Sequence, residues 1–114
     1  MIEWIKWSNN GKFIKTDAAG NEVDPILQTF SHFTYTRTLK AKEEGKMKEA
    51  MMILDVQGVR QGKDFLLTDP AVVSESGSGY GDSNTGKSGM KDWFNSHKCS
   101  EHCAKLGLAR PVFA

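Results

Sequence analysis

The chain has 114 residues and 39% apolar content, which suits one domain with a modest core. Its formal net charge of +1 excludes a strong electrostatic draw toward nucleic acid or acidic membranes. No window reaches the apolar length of a membrane span, and Met1-Ile2-Glu3-Trp4 lacks the basic and apolar zones of a secretory leader, so a cytoplasmic setting is expected.

In chain order, Glu3-Trp4-Ile5-Lys6-Trp7 alternates apolar and charged residues and predicts an edge strand. Ser8-Asn9-Asn10-Gly11 is a turn, Phe13-Ile14 begins a return segment, and Asp17 to Val23 is loop. Asp24 followed by Pro25 reads as a capping carboxylate with proline at the first helical position. Ile26, Phe30 and Phe33 continue at helical spacing, so a helix is predicted for about Pro25 to Arg37, although the Phe-Thr-Tyr-Thr content favours strand. Leu39 to Glu49 carries mixed charge around Gly45 and predicts a solvated connector.

Met51-Met52-Ile53-Leu54 reads as a buried strand that delivers Asp55 at its end. Phe65-Leu66-Leu67 leads into a second acid, in Thr68-Asp69-Pro70. Either aspartate alone could simply be a turn former. Ser74 to Gly86 is rich in Gly and Ser and reads as loop. Met90, Trp93, Phe94 and His97 stand at i, i+3, i+4 and i+7 and predict an amphipathic helix. Ser100 to Leu106 is a short helix with Gly107 suited to its C-terminal cap, and Arg110-Pro111-Val112-Phe113 is an exit tail.

His97, Cys99 and Cys103 form H-x-C-x-x-x-C and include the only two cysteines of the chain. Zinc takes thiolate and imidazole ligands in a tetrahedron, and His32 is the best candidate for the fourth. A helix would put Cys99 and Cys103 on one face, whereas His97 must come from a preceding turn or helix end. Two buried thiols beside a surface histidine is the alternative. A disulfide would close too small a loop to stabilise much. His102 is expected to be a solvent-facing spare.

Gly81 to Ser88 matches the phosphate-loop pattern G-x-x-x-x-G-K-S/T. That motif needs a buried strand directly before it, and Ser74 to Tyr80 cannot be one. A glycine-rich loop entering a helix is still a reasonable phosphate cradle, and a flexible linker is the plain alternative.

Several strings together resemble the alpha-kinase family of atypical protein kinases. They are Phe30-Ser31-His32-Phe33-Thr34-Tyr35, Asp55-Val56-Gln57-Gly58-Val59, Leu67-Thr68-Asp69-Pro70, Gly81-Asp82-Ser83-Asn84-Thr85-Gly86, and the His97, Cys99, Cys103 cluster. Trp4-Ile5-Lys6-Trp7 and Asn9-Asn10-Gly11 resemble the stretch after the family's hinge. The resemblance implies that Asp55 and Gln57 hold magnesium on ATP phosphates and that Asp69 is the catalytic acid-base group. It places Gly81, Asn84 and Gly86 beside the phosphates or the substrate. It makes His32, His97, Cys99 and Cys103 the ligands of a structural zinc.

The chain departs from the family in places. No stretch resembles the strand whose lysine grips ATP phosphates, or the hinge that holds adenine; Lys6, Lys12 and Lys15 lack that context. Arg60-Gln61-Gly62-Lys63 lies in an insert longer than the family usually has, and Thr85 replaces an apolar loop residue. The expectation is an α+β fold in which residues 1–114 form a partial kinase domain, the zinc-stapled C-terminal lobe with the N-terminal lobe absent. The function expected is ATP-dependent phosphorylation of protein Ser/Thr, weak or absent in the isolated chain. The partners expected are ATP, a protein substrate and the absent lobe, with no nucleic acid and no membrane. A non-catalytic zinc-stabilised interaction module and a P-loop ATPase are the competing readings.

Overall fold

Residues 3–113 are described in a computed structural model. The order of elements is β1 (Trp4–Lys6), α1 (Pro25–Glu43), β2 (Met51–Leu54), β3 (Gln57–Gln61), β4 (Asp64–Leu67), β5 (Ala71–Ser74), α2 (Gly86–Ser96) and α3 (Glu101–Lys105). The architecture is mixed helix and sheet, as expected. The absence of a leader, read partly from Met1 and Ile2, concerns residues outside those described. No helix among the described residues is long and apolar enough to cross a membrane.

The strands form one interrupted hairpin. In one sheet, β2 pairs antiparallel with β5, from Met51 opposite Ser74 to Leu54 opposite Ala71. In the other, β3 pairs with β4, from Gly58 opposite Leu67 to Gln61 opposite Asp64, and β1 covers the far side of β3. Both ladders keep the same register, so residues 51 to 74 are a single long hairpin whose pairing breaks around Asp55-Val56 and Thr68-Asp69-Pro70. Its tip is the segment expected to be an insert, with Gly62 at φ 62°. The sequence reading missed β3 and β5. Gly58 interrupts the first, and Ala71-Val72-Val73 is too short and too close to the Gly/Ser stretch to stand out.

Two expectations for α1 need correction. First, it does not stop at Arg37. Its last turn is closed by a Schellman motif, with Lys46 N donating to Ala41 O (2.8 Å) and Gly45 N to Lys42 O (3.0 Å). Partly buried Leu39 and the Lys42–Glu75 pair at 2.8 Å hold this extra length, and so the connector is short. Second, Asp24 does not cap the helix. Its backbone is left-handed, and its carboxylate instead accepts from Trp7 Nε1 (2.9 Å) and Arg60 Nη1 (2.6 Å). Ile26, Phe30 and Phe33 lie on the helix as their spacing predicts; they are exposed, and the buried positions are Leu27, Gln28, Thr29, Ser31, His32 and Tyr35.

The threonines that seemed to favour strand have a use in this helix. Thr38 Oγ1 accepts from Met51 N (2.9 Å) and donates to Met51 O (2.6 Å), and Thr34 Oγ1 accepts from Ile53 N (3.0 Å). Helix hydroxyls thus satisfy the free edge of β2, which has no neighbouring strand there. The main core lies between α1, the β2–β5 pair and α2, around Tyr35, Met52, Leu54, Val73, Met90, Trp93 and Phe94. A smaller cluster of Trp7, Leu27 and Val56 packs under the break in the hairpin.

Candidate functional site

Two groups of chemically able side chains lie in different parts of the fold. The first is the hairpin break. Register places Asp55 opposite Pro70 and Asp69 opposite Val56, and Thr68 N donates to Gln57 O at 3.1 Å to resume the ladder. Both aspartates are left-handed, with φ 56° at Asp55 and 48° at Asp69. Such backbones carry strain for non-glycine residues, though Asp tolerates them better than most. The break therefore takes the two acids out of the ladder at one level of the sheet, while Gln57 opens β3 opposite Lys6. Trp7 N donates to Val56 O (2.8 Å) and Val56 N to Ser8 Oγ (3.0 Å), so Val56 is held on both its polar groups inside the break.

Asp55 Oδ1 is buried. Lys6 Nζ lies 3.0 Å away but out of hydrogen-bond alignment, so the oxygen has an ionic neighbour and no donor. A carboxylate oxygen in that state suits a hard cation, and Gln57 supplies a neutral carbonyl beside it. Asp69 is exposed and open to a large reactant.

Asn9 and Asn10 join this break to the glycine-rich loop. Asn9 O accepts from Asp55 N (3.2 Å), Asn10 Nδ2 donates to Ser83 O (2.9 Å), and Thr85 Oγ1 donates to Asn10 O (2.6 Å). Within the loop, Asn84 Oδ1 accepts from Ser74 N (3.0 Å) and Gly86 N (3.1 Å), while Asn84 Nδ2 donates to Ser74 Oγ (2.8 Å) and Gly79 O (3.1 Å). Asn84 is thus the pin that ties the end of β5 to the start of α2. Gly86 is buried at φ 69° with its Cα side against Gly77, whereas Gly81 (φ 88°) is exposed. Sequence reasoning recognised the Asn9-Asn10-Gly11 turn but missed its bridging role. It also missed the pairing of Lys6 with Asp55.

The second group is the predicted ligand set. One donor atom from each of His32, His97, Cys99 and Cys103 lies within 4.8 Å of the others. His97 is the residue after α2, Cys99 precedes α3, and Cys103 lies inside α3. The two thiols therefore do not share a helix face; Ser100 caps α3 just after Cys99, and the approach to the cap carries that sulfur into place. Cys99 Sγ is 3.7 Å from His32 Nδ1 and 3.6 Å from His97 Nε2, and Cys103 Sγ is also 3.6 Å from His97 Nε2. A tetrahedral zinc with bonds of about 2.3 Å to sulfur and 2.0–2.1 Å to nitrogen separates S and N by about 3.6 Å, so the donors fit the ion. His102 is half-buried and stays outside the cluster.

Electrostatics favour the imidazole ligand and, without a cation, oppose the thiolate. Burial, with His97 and Arg110 nearby, pushes His32 below its ordinary pKa despite the Ala109 carbonyl, which favours a neutral ligand imidazole. Burial and the neighbouring Cys103 push the Cys99 thiol up, although Arg110 opposes them. A dication at the centre would reverse that shift.

Comparison with known proteins points to one family. Alpha-protein kinase vwkA of Dictyostelium discoideum is 43% identical over 111 residues, 97% of this chain and 16% of that protein. Human eukaryotic elongation factor 2 kinase is 34% identical over 107 residues, 94% of this chain and 12% of that protein. The crystal structure of the alpha-kinase domain of myosin heavy chain kinase A in complex with ADP superposes with a TM-score of 0.68 at 34% identity, covering 96% of this chain and 37% of that one. The chain thus spans a small part of its curated relatives and over a third of a solved kinase domain. The model of the Alpha-kinase family matches residues 1–103, and the chain belongs to that family.

Proposed function

We propose that residues 1–114 are the C-terminal lobe of an alpha-type protein kinase domain, which acts with the remainder of such a domain to phosphorylate Ser or Thr of a protein. The observation that carries this reading is the break in the hairpin, where left-handed Asp55 and Asp69 leave the ladder on its two strands and Gln57 resumes it. Bound ATP with magnesium would supply the phosphoryl group and neutralise its charge. Asp55 and the Gln57 carbonyl would hold the metal, and the buried, donorless Oδ1 of Asp55 supports that assignment. Asp69, exposed beside them, would orient the substrate hydroxyl and accept its proton. Lys6 Nζ, 3.0 Å from Asp55 Oδ1, occupies the side of the carboxylate that the metal would take.

The loop containing Gly81, Asn84 and Gly86 would border the phosphates. Since Asn84 spends its amide on the loop itself, its part is to hold the loop's shape, and exposed Gly81 is the point of closest approach. His32, His97, Cys99 and Cys103 would hold a structural zinc, which requires both thiols reduced, as in an intracellular setting. Phosphoryl transfer is mostly positioning and charge neutralisation, so the chain alone, tested apart from the rest of a kinase domain, should transfer phosphate poorly.

The test is a chimera in which this chain replaces the matched segment of human elongation factor 2 kinase, assayed for incorporation of the γ-phosphate of ATP into protein. Activity that Asp69→Ala lowers by about 100-fold or more, with zinc content unchanged, is expected, since general acid-base groups contribute about that much. An Asp69→Ala chimera as active as the parent would overturn the assignment. A folded, zinc-loaded chimera with no transfer would favour a non-catalytic interaction module.

A further inference from the structure

Glu22 has no place in the sequence pattern, yet its carboxylate is among the most deeply placed in the chain. Its side chain is 4% exposed, in a loop where Glu22 bridges to Thr16. One oxygen, Oε2, accepts from Lys98 N at 3.0 Å and lies 2.9 Å from His97 Nδ1. Both contacts converge on that one oxygen, while Oε1 is buried without a partner, so the carboxylate is aimed at His97 and Lys98. The bond also determines the state of the ring. If Nδ1 carries the proton and gives it to Glu22, then Nε2 keeps its lone pair, and Nε2 is the atom 3.6 Å from both cysteine sulfurs. Trp93 stacks on the same ring at 4.5 Å and 16° between planes, which fixes its tilt.

His32 is held by an equivalent device with the nitrogens exchanged. Its Nε2 lies 3.0 Å from Ala109 O, which leaves Nδ1 to face Cys99. The carbonyl reaches it because α3 ends in a Schellman motif, with Gly107 at φ 66° and Leu108 N donating to Cys103 O at 3.0 Å. Arg110 then donates to His97 O at 2.7 Å and to Phe94 O, closing the C-terminal end of α2.

We propose that Glu22 is the positioning residue of the zinc centre: it locks His97 as the Nδ1-protonated tautomer so that Nε2 binds the metal. The proposal rests on the zinc reading given above. Outer-shell carboxylates of this kind orient a ligand imidazole, raise its basicity, and typically contribute about 10–100-fold in metal affinity. With zinc, two thiolates, Glu22 and the guanidinium of Arg110, the assembly is formally neutral, which is a favourable state for a buried ion.

The test uses the 114-residue chain, with zinc or cobalt as the probe. Competition with a chelating dye should show Glu22→Ala weakening zinc by about 10–100-fold. Glu22→Gln should recover much of that loss, since its amide oxygen can still accept from Nδ1. The cobalt-loaded Ala variant should show altered d–d bands, reporting a changed ligand field that a purely structural defect would leave alone. Nitrogen-15 spectra of the zinc-loaded parent should show His97 protonated at Nδ1, a measurement that needs no variant to fold. Metal bound at Nδ1 instead, or Glu22→Ala with the parent's affinity and cobalt spectrum, overturns the proposal while the zinc site stands. A parent chain that takes up no zinc refutes the zinc reading itself.

Discussion

Gly58 is where a single methyl group tests the interrupted hairpin most sharply. It pairs with Ile5 on one side and Leu67 on the other, at φ 152°, a backbone conformation that L side chains rarely adopt. A Cβ added there would sit 1.9 Å from Leu66 O, 2.9 Å from Leu66 C and 3.0 Å from Leu67 Cα. All three are backbone atoms, so no rotamer change relieves the clash. Ordinary carbon–oxygen contacts lie at about 3.3–3.6 Å, so β4 must retreat by more than an ångström or peel away. Forcing a residue into the strained backbone region costs about 1–3 kcal/mol, and overpacking adds about 1–3 kcal/mol. Gly58→Ala should therefore destabilise the chain by roughly 2–6 kcal/mol, a large fraction of the total for a domain of this size. Urea unfolding followed by tryptophan fluorescence reads this well, because Trp7 packs edge-on against Phe65 of β4 at 5.7 Å. The midpoint should fall sharply. A loss below about 0.5 kcal/mol, the range of neutral surface changes, would refute the register argued for β3 and β4.

Two further outcomes are expected. Asp24→Ala removes the acceptor of the fully buried Trp7 indole N–H and should cost about 1–3 kcal/mol by thermal unfolding, whereas Asp24→Asn, which keeps an acceptor and tolerates the left-handed backbone, should cost less. Burial raises the pKa of Glu75, but bonds from Lys42 and from Ala50 N outweigh it and hold the folded value below the ordinary carboxylate range. A depressed folded pKa stabilises above the unfolded value, and the contribution is lost as pH falls through the folded one. Stability measured from pH 6 downward should therefore decline below about pH 4.5, and Glu75→Gln should show a shallower decline; identical profiles would contradict the pairing.

How much of this was legible beforehand depends on the range of the interaction involved. The periodicity of Met90, Trp93, Phe94 and His97, and the Ser100 and Gly107 caps, are local signals, and α2 and α3 follow them closely. The gathering of His32, His97, Cys99 and Cys103 was legible because thiolate and imidazole at such spacing have few other uses. The extension of α1 was hidden because Leu39, Thr38 and Lys42 find their partners in the core, β2 and Glu75, none of which a local window contains. Ile26, Phe30 and Phe33 announced the helix by their spacing but not their exposure, because apolar spacing shows a face, not what covers it. Glu22 and Ala109 were invisible for the same reason, since each reaches its histidine across 75 or more residues.

The junction of α1, α2 and the tail holds the whole arrangement together, and X-ray absorption at the zinc edge of the purified chain tests it most directly. One zinc per chain, with two sulfurs at about 2.3 Å and two nitrogens at about 2.0–2.1 Å, is the predicted result. A chain that folds cooperatively without zinc, or a bound zinc surrounded by oxygen, would contradict it.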